Sequence, residues 1–101
     1  MYLFQERKMY ESDYRTDFKE SDPRYPKTMH WIKENIKPRK TPNYMHTSYG
    51  IKHLLQRDTG IYLTNGEFKD AMIKSGYDPV DSRWQNWAFC ISEKSEAFKV
   101  R

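Results

Sequence analysis

Apolar residues recur at helical spacing in three stretches of the chain. Met29, Ile32 and Ile36 stand at i, i+3 and i+7, which predicts a first helix over residues 27–37, with Trp31 flanking the stripe and Pro38 as its stop. Ile51, Leu54 and Leu55 form a denser stripe. Thr47 or Ser48 precedes it with a hydroxyl able to accept from a free helical N–H, and Gly60 stands where a left-handed residue ends a helix, so a second helix is expected over 48–58. Thr64 and Glu67 then make a capping box ahead of Phe68, Ala71 and Met72, the buried face of a third helix that Gly76 closes.

Period-two signals are shorter. Ile61, Tyr62 and Leu63 predict one brief strand, while Trp87, Phe89 and Ile91 alternate with Ala88 and Cys90 as a second whose heavy side faces the helices. A further strand over 97–100 is expected to fold back as a hairpin. Residues 38–46, with Pro38, Pro42 and Asn43, read as a basic loop, and 77–81 as a turn. Residues 1–22 mix charge with Tyr2, Phe4, Tyr10, Tyr14 and Phe18 without a sustained period. They read as an extended arm, with a short strand at its start, ahead of a single compact domain over 23–101. The fold class expected is α+β: three helices with a small antiparallel sheet, resembling a winged helix-turn-helix except that the link over 60–64 is longer than usual.

Composition narrows the functional classes. At 101 residues the chain has room for one core, and with 37% apolar residues and a mean hydropathy of -1.07 that core must lean on its eight Tyr, five Phe and three Trp. So many rings argue against global disorder. No apolar run is long enough to span a membrane, and the first residues read as too short for a signal peptide. The single Cys90 rules out an internal disulfide and suits a reducing compartment, consistent with the cytoplasm.

The net charge of +4 hides an asymmetry: residues 1–22 sum to -2, 23–57 to +7 and 58–101 to -1. The middle third also holds His30, His46 and His53 with Tyr25, Trp31, Tyr44 and Tyr49. Cations interleaved with stacking rings suit a polyanion with exposed bases.

Catalytic patterns are weak by comparison. His46 and His53 are two helical turns apart, too far to chelate one ion together, and Cys90 has no partner cysteine, so no metal or other cofactor is expected. Asp58 with Glu67-Phe68-Lys69 matches an acid, acid-x-lysine nuclease pattern, but at a helix start instead of on a strand. The histidines with Lys52 leave a metal-free ribonuclease as a third reading. No glycine-rich phosphate loop is present, and no catalytic residue is assigned.

In a helix-turn-helix reading the third helix would present Asn65, Lys69, Lys74 and Asp70 outward to DNA bases. That helix is nearly neutral, however, and the positive charge lies elsewhere. Nucleic-acid or partner contacts are therefore expected through Lys33, Lys37, Arg39, Lys40, Tyr44, Tyr49, Lys52, His53 and Arg57, by backbone and stacking contacts more than by base-edge readout.

The stretches Ser48-Tyr49-Gly50-Ile51-Lys52-His53 and Asp58-Thr59-Gly60-Ile61-Tyr62-Leu63-Thr64-Asn65-Gly66-Glu67-Phe68-Lys69-Asp70-Ala71-Met72, with Gly76-Tyr77, Pro79-Val80-Asp81 and Asn86-Trp87, resemble a family of small proteins carried by phages and mobile elements of Gram-positive bacteria. The resemblance spans about residues 45–91. Small proteins of that setting include anti-CRISPR inhibitors of the RNA-guided nuclease Cas9, so the resemblance implies a non-enzymatic inhibitor acting in a bacterial host on Cas9 or its guide RNA. It supplies no catalytic residues. The alternative is a winged-helix-like DNA-binding regulator. Exposed rings in the arm and an unpaired strand edge also make self-association an expectation.

Overall fold

The computed structural model describes residues 10–100. Three helices, α1 (Tyr25–Asn35), α2 (Ser48–Thr59) and α3 (Asn65–Lys74), pack with a two-stranded antiparallel sheet of β1 (Pro38–Thr47) and β2 (Ala88–Ile91). The class is α+β, as the patterns indicate. The order is helix, strand, helix, helix, strand, with the last strand returning to pair with the first, and this is compatible with a winged-helix-like plan. No helix among the described residues is long and apolar enough to cross a membrane.

The helices follow their local signals. Gly60 ends α2 at φ 78° and Gly76 follows α3 at φ 95°. Thr64 Oγ1 accepts from Glu67 N while Glu67 Oε1 accepts from Thr64 N, which completes the capping box. α1 begins two residues earlier than its apolar stripe suggests, because Pro26 sits in the first turn, where a missing N–H costs nothing. The side-chain cap expected on α2 is not made. Thr47 is extended, and Ser48 instead exchanges bonds with Trp87, the residue before β2: its N donates to Trp87 O at 2.8 Å and its Oγ accepts from Trp87 N at 3.0 Å. Ile32, Ile51, Leu55, Phe68, Met72, Phe89 and Ile91 form a fully buried core, with Trp31 and Trp87 at its margin.

Three sequence expectations are corrected. Residues 38–46 are strand, not loop. The register pairs Pro38 with Ile91, Asn43 with Phe89 and Thr47 with Ala88, so ten residues of β1 face only four of β2 and the excess leaves the ladder in two bulges. Pro38 opens the strand and Pro42 lies within a bulge, positions where the absent N–H breaks no ladder bond. Buried Asn43 pins the strand between the bulges. Its Nδ2 donates to Ile91 O and Glu93 Oε1, and its Oδ1 accepts from Met45 N.

Residues 61–63 are not a strand: Leu63 is buried, but Tyr62 O accepts from Arg24 Nη1 at 3.0 Å instead of from a neighbouring strand. Residues 97–100 form no hairpin. Bonds from Phe98 N to Ser95 O and from Lys99 N to Glu96 O wind Glu96–Phe98 into a 3-10 turn with Ala97 in the core. The other edge of β2 is met by Pro79 and Val80, whose N donates to Ala88 O at 2.9 Å.

The strand expected at the start of the arm lies outside the described residues. From residue 10 onward the arm is tied to the domain. Phe18 is 1% exposed, and its N donates to the buried Asp70 carboxylate at 2.8 Å.

Candidate nucleic-acid interface

α3 and the segment over residues 10–18 hold a connected set of buried polar groups. Gly66 lets the segment lie directly on the helix, since a Cβ there would sit 1.5 Å from Tyr14 O. Asn65, Lys69 and Asp70 are 3%, 1% and 0% exposed. The expectation that they face outward is therefore corrected: they hold the segment down. Asn65 Nδ2 donates to Asp13 Oδ1, Gln85 O and Asn86 Oδ1, and Lys69 Nζ donates to Asp13 O while lying 4.8 Å from the Trp87 ring centroid. Burial lowers the Lys69 ammonium to about 8 against the opposing pull of Asp13.

Burial alone would raise the carboxyls of Asp13 and Asp70. Hydrogen bonds outweigh it in both, from Gln85, Asn65 and Tyr10 N to the first and from Phe18 N, Arg15 and Lys74 to the second, so both end below the ordinary carboxylate value. Lys74 is spent as well, on Asp70, Asp17 and Phe18 O. None of the three candidate DNA-reading residues is left free for a groove.

The basic middle third behaves differently. Lys33 on α1, Lys37 just before β1 and Lys40 on β1 are exposed, and none of them forms an ion pair among the described residues. Arg39 is exposed but closes the first bulge by donating to Thr41 O at 2.9 Å and Pro42 O at 2.6 Å. The second bulge carries Tyr44, 60% exposed, and Met45, 80% exposed. Tyr49 is half exposed at the start of α2 and meets the exposed His53 ring edge-on at 4.7 Å.

Two of the six lysines and arginines in the set are not free cations. Lys52 is 5% exposed, its Nζ held 5.1 Å and 4.9 Å from the Tyr49 and Tyr62 ring centroids, and burial lowers its pKa. Arg57 is paired with Asp58 at 2.8 Å and also donates to Ala97 O. Sequence reasoning counted charges without seeing these partners.

It also missed Trp84 and Asn86. Their turn brings Trp84 to 6.2 Å from Tyr44, ring to ring, and a cleft of about 390 Å³ opens among Tyr44, Thr47, Trp84, Asn86 and Ala88. A wider groove of about 570 Å³ runs along the far side of the second bulge past Met45, His46, Tyr49, Arg57 and Phe98. There His46 stacks on Phe98 at 3.6 Å and pairs with Glu93 at 2.9 Å. The one available signal for Trp84 was its position, in a polar turn before the alternating strand.

The nuclease-like acids are occupied too. Asp58 accepts from Arg57 and Trp31 Nε1, and Glu67 from Arg24 and Thr64 N. Among the described residues no group of three or more His, Cys, Asp or Glu side chains could hold a metal ion. Comparison with family models, curated proteins and solved structures finds no match to the chain. A functional reading therefore rests on the geometry and on the residues that carry the resemblance.

Proposed function

We propose that the chain is a non-enzymatic accessory protein of a mobile element, an anti-CRISPR inhibitor that engages the guide RNA of Cas9, or Cas9 itself, through the bulged face of β1 in the cytoplasm of a bacterial host. The observation that carries the reading is the set Lys33 on α1, Lys37 just before β1 and Lys40 on β1, exposed and without ion-pair partners among the described residues, Lys40 on the same strand that presents Tyr44 and Met45 to solvent. Cations free of carboxylates can neutralise phosphates, and exposed rings beside them accept unstacked bases. Contacts of this kind to phosphate and sugar hold an RNA without reading its sequence.

The test is binding of guide RNA at two salt concentrations, co-elution with Cas9, and DNA cleavage by the loaded nuclease with the protein in excess. The reading expects a salt-sensitive RNA shift or a stable Cas9 complex, and reduced cleavage. A protein that binds neither guide RNA nor Cas9 and leaves cleavage intact would overturn it. The DNA-regulator reading through Asn65, Lys69 and Lys74 has little support from a helix whose polar groups are buried. The ribonuclease reading has little from histidines engaged with Glu93, Phe98 and Tyr49.

A further inference from the structure

The cleft between Tyr44 and Trp84 has the attributes of a binding site for a flat ring with acceptor atoms on its edge. Its floor is the end of the sheet, where Thr47 pairs with Ala88, and the small alanine leaves depth there. Its walls are two rings tilted by 46°, one of them anchored: Trp84 packs against the core, and its N donates to Asp81 O. Asn86 is fixed from behind, because its Oδ1 accepts from buried Asn65 Nδ2 at 3.0 Å. That bond leaves Asn86 Nδ2 as a donor, and neither it nor Trp84 Nε1 donates to any acceptor among the described residues. No carboxylate among the described residues lines the cleft.

We infer that this cleft takes an unpaired nucleobase of a single-stranded nucleic acid, stacked on the anchored Trp84 ring and flanked by the exposed Tyr44 ring, with Asn86 Nδ2 donating to the base edge. The inference rests on the polyanion reading of the β1 face and specifies where a base would sit. Lys40 precedes Tyr44 by four residues on the same strand, at most about 13 Å along it, so a cation that can meet the flanking phosphates is within reach. A stacked base supplies much of the affinity of such sites and is not sequence-selective, because every base has a π-face. Duplex bases stay stacked on their neighbours and cannot enter.

The test uses the full chain with two probes: an oligoadenylate of about twelve nucleotides, and a strand of equal length lacking every base. The inference expects the wild type to bind the oligoadenylate roughly tenfold or more tightly than the base-free strand. Trp84→Ala and Tyr44→Ala should each erase most of that preference while leaving binding of the base-free strand unchanged. Tyr44 is exposed, so its variant guards against a Trp84→Ala chain that does not fold, and Trp84→Phe should restore part of the preference.

Equal binding of both probes by the wild type, with Lys37→Ala and Lys40→Ala weakening each, would overturn the base site and leave the polyanion reading standing. Binding of neither probe would overturn both for RNA. A Cas9 complex that survives nuclease treatment but is lost in Tyr44→Ala would overturn the base site in favour of a protein contact.

Discussion

α3 and β1 are two of the places where sequence puts polar side chains that could meet a nucleic acid, and the fold treats them in opposite ways. On α3 the polar groups are spent inward: Asn65, Lys69 and Asp70 are buried and bonded to the segment over residues 10–18. On β1 they are left outward, because two bulges lift Lys40, Tyr44 and Met45 off the ladder. A helix of near-neutral charge turns out to be a structural clamp, and a proline-containing stretch that looked like linker turns out to be the presenting surface. Charge count says how many cations exist. Only the partners say which are free.

The contrast breaks hardest at Gly66. Alanine in an exposed helix usually stabilises relative to glycine by up to about 1 kcal/mol. At Gly66 the added Cβ would collide with Tyr14 backbone. Gly66→Ala should therefore destabilise by about 4 kcal/mol and release residues 10–18 to proteolysis. Gly50→Ala on α2 meets nothing within 4 Å and is the control, expected to gain slightly. Urea unfolding of the two variants checks the opposite signs.

Asp70 comes next, since its carboxylate is fully buried between Phe18 N, Arg15 at 2.6 Å and Lys74 at 3.0 Å. Removing the charge leaves cations without their partner, so Asp70→Asn should cost about 3 kcal/mol near neutral pH. Its lowered pKa means that its contribution is present above the unfolded value of 3.8 and is lost as pH falls through the lower folded value. The difference between wild type and variant, followed by denaturant midpoint from pH 7 downward, should therefore narrow only in strong acid.

Lys69 titrates at the other end of the scale. The unfolded chain keeps that proton up to about the ordinary 10.5, whereas the folded protein gives it up at about 8. Between these values the unfolded state binds more protons, so this lysine makes stability rise with pH across the window, and its penalty of about 3 kcal/mol stands in full below pH 8. Lys69→Met should flatten the dependence between pH 8 and 10. An unchanged slope would mean that the ammonium is better solvated than its burial implies.

How far the sequence could be read depended on the range of the interactions. The helices rest on contacts within four residues, so the Gly60 and Thr64/Glu67 signals placed α2 and α3 closely. β1 rests on distant partners: Asn43 bonds to Ile91 O and Glu93, and Pro38 pairs with Ile91. Nothing local marks those partners, and two prolines argued for a loop. The inward turn of α3 was hidden for the same reason, since Asp13 and Phe18 lie more than fifty residues from Asn65 and Asp70. For the candidate interface, Lys33, Lys37, Lys40, Tyr44 and Tyr49 were legible from charge and exposure-prone composition. The pairing of Arg57 with Asp58, the burial of Lys52 and the meeting of Tyr44 with Trp84 needed the fold.

The smallest effect on stability should come from the presenting surface, and there the contrast is sharpest. Lys37 and Lys40 have no ion-pair partners among the described residues, so Lys37→Ala and Lys40→Ala should shift the thermal midpoint by no more than about 3 °C. Their effect should appear in binding. Each cation that neutralises a phosphate of a single strand contributes about 0.7 to the slope of log affinity against log salt, so each substitution should lower the slope magnitude by about that amount. Lys74→Ala is the matched control on α3. That lysine is held by Asp70, Asp17 and Phe18 O, so its loss should lower stability and leave the salt slope where it was. If Lys74→Ala changed the slope while Lys37→Ala and Lys40→Ala did not, the assignment of clamp and presenting surface would have to be exchanged.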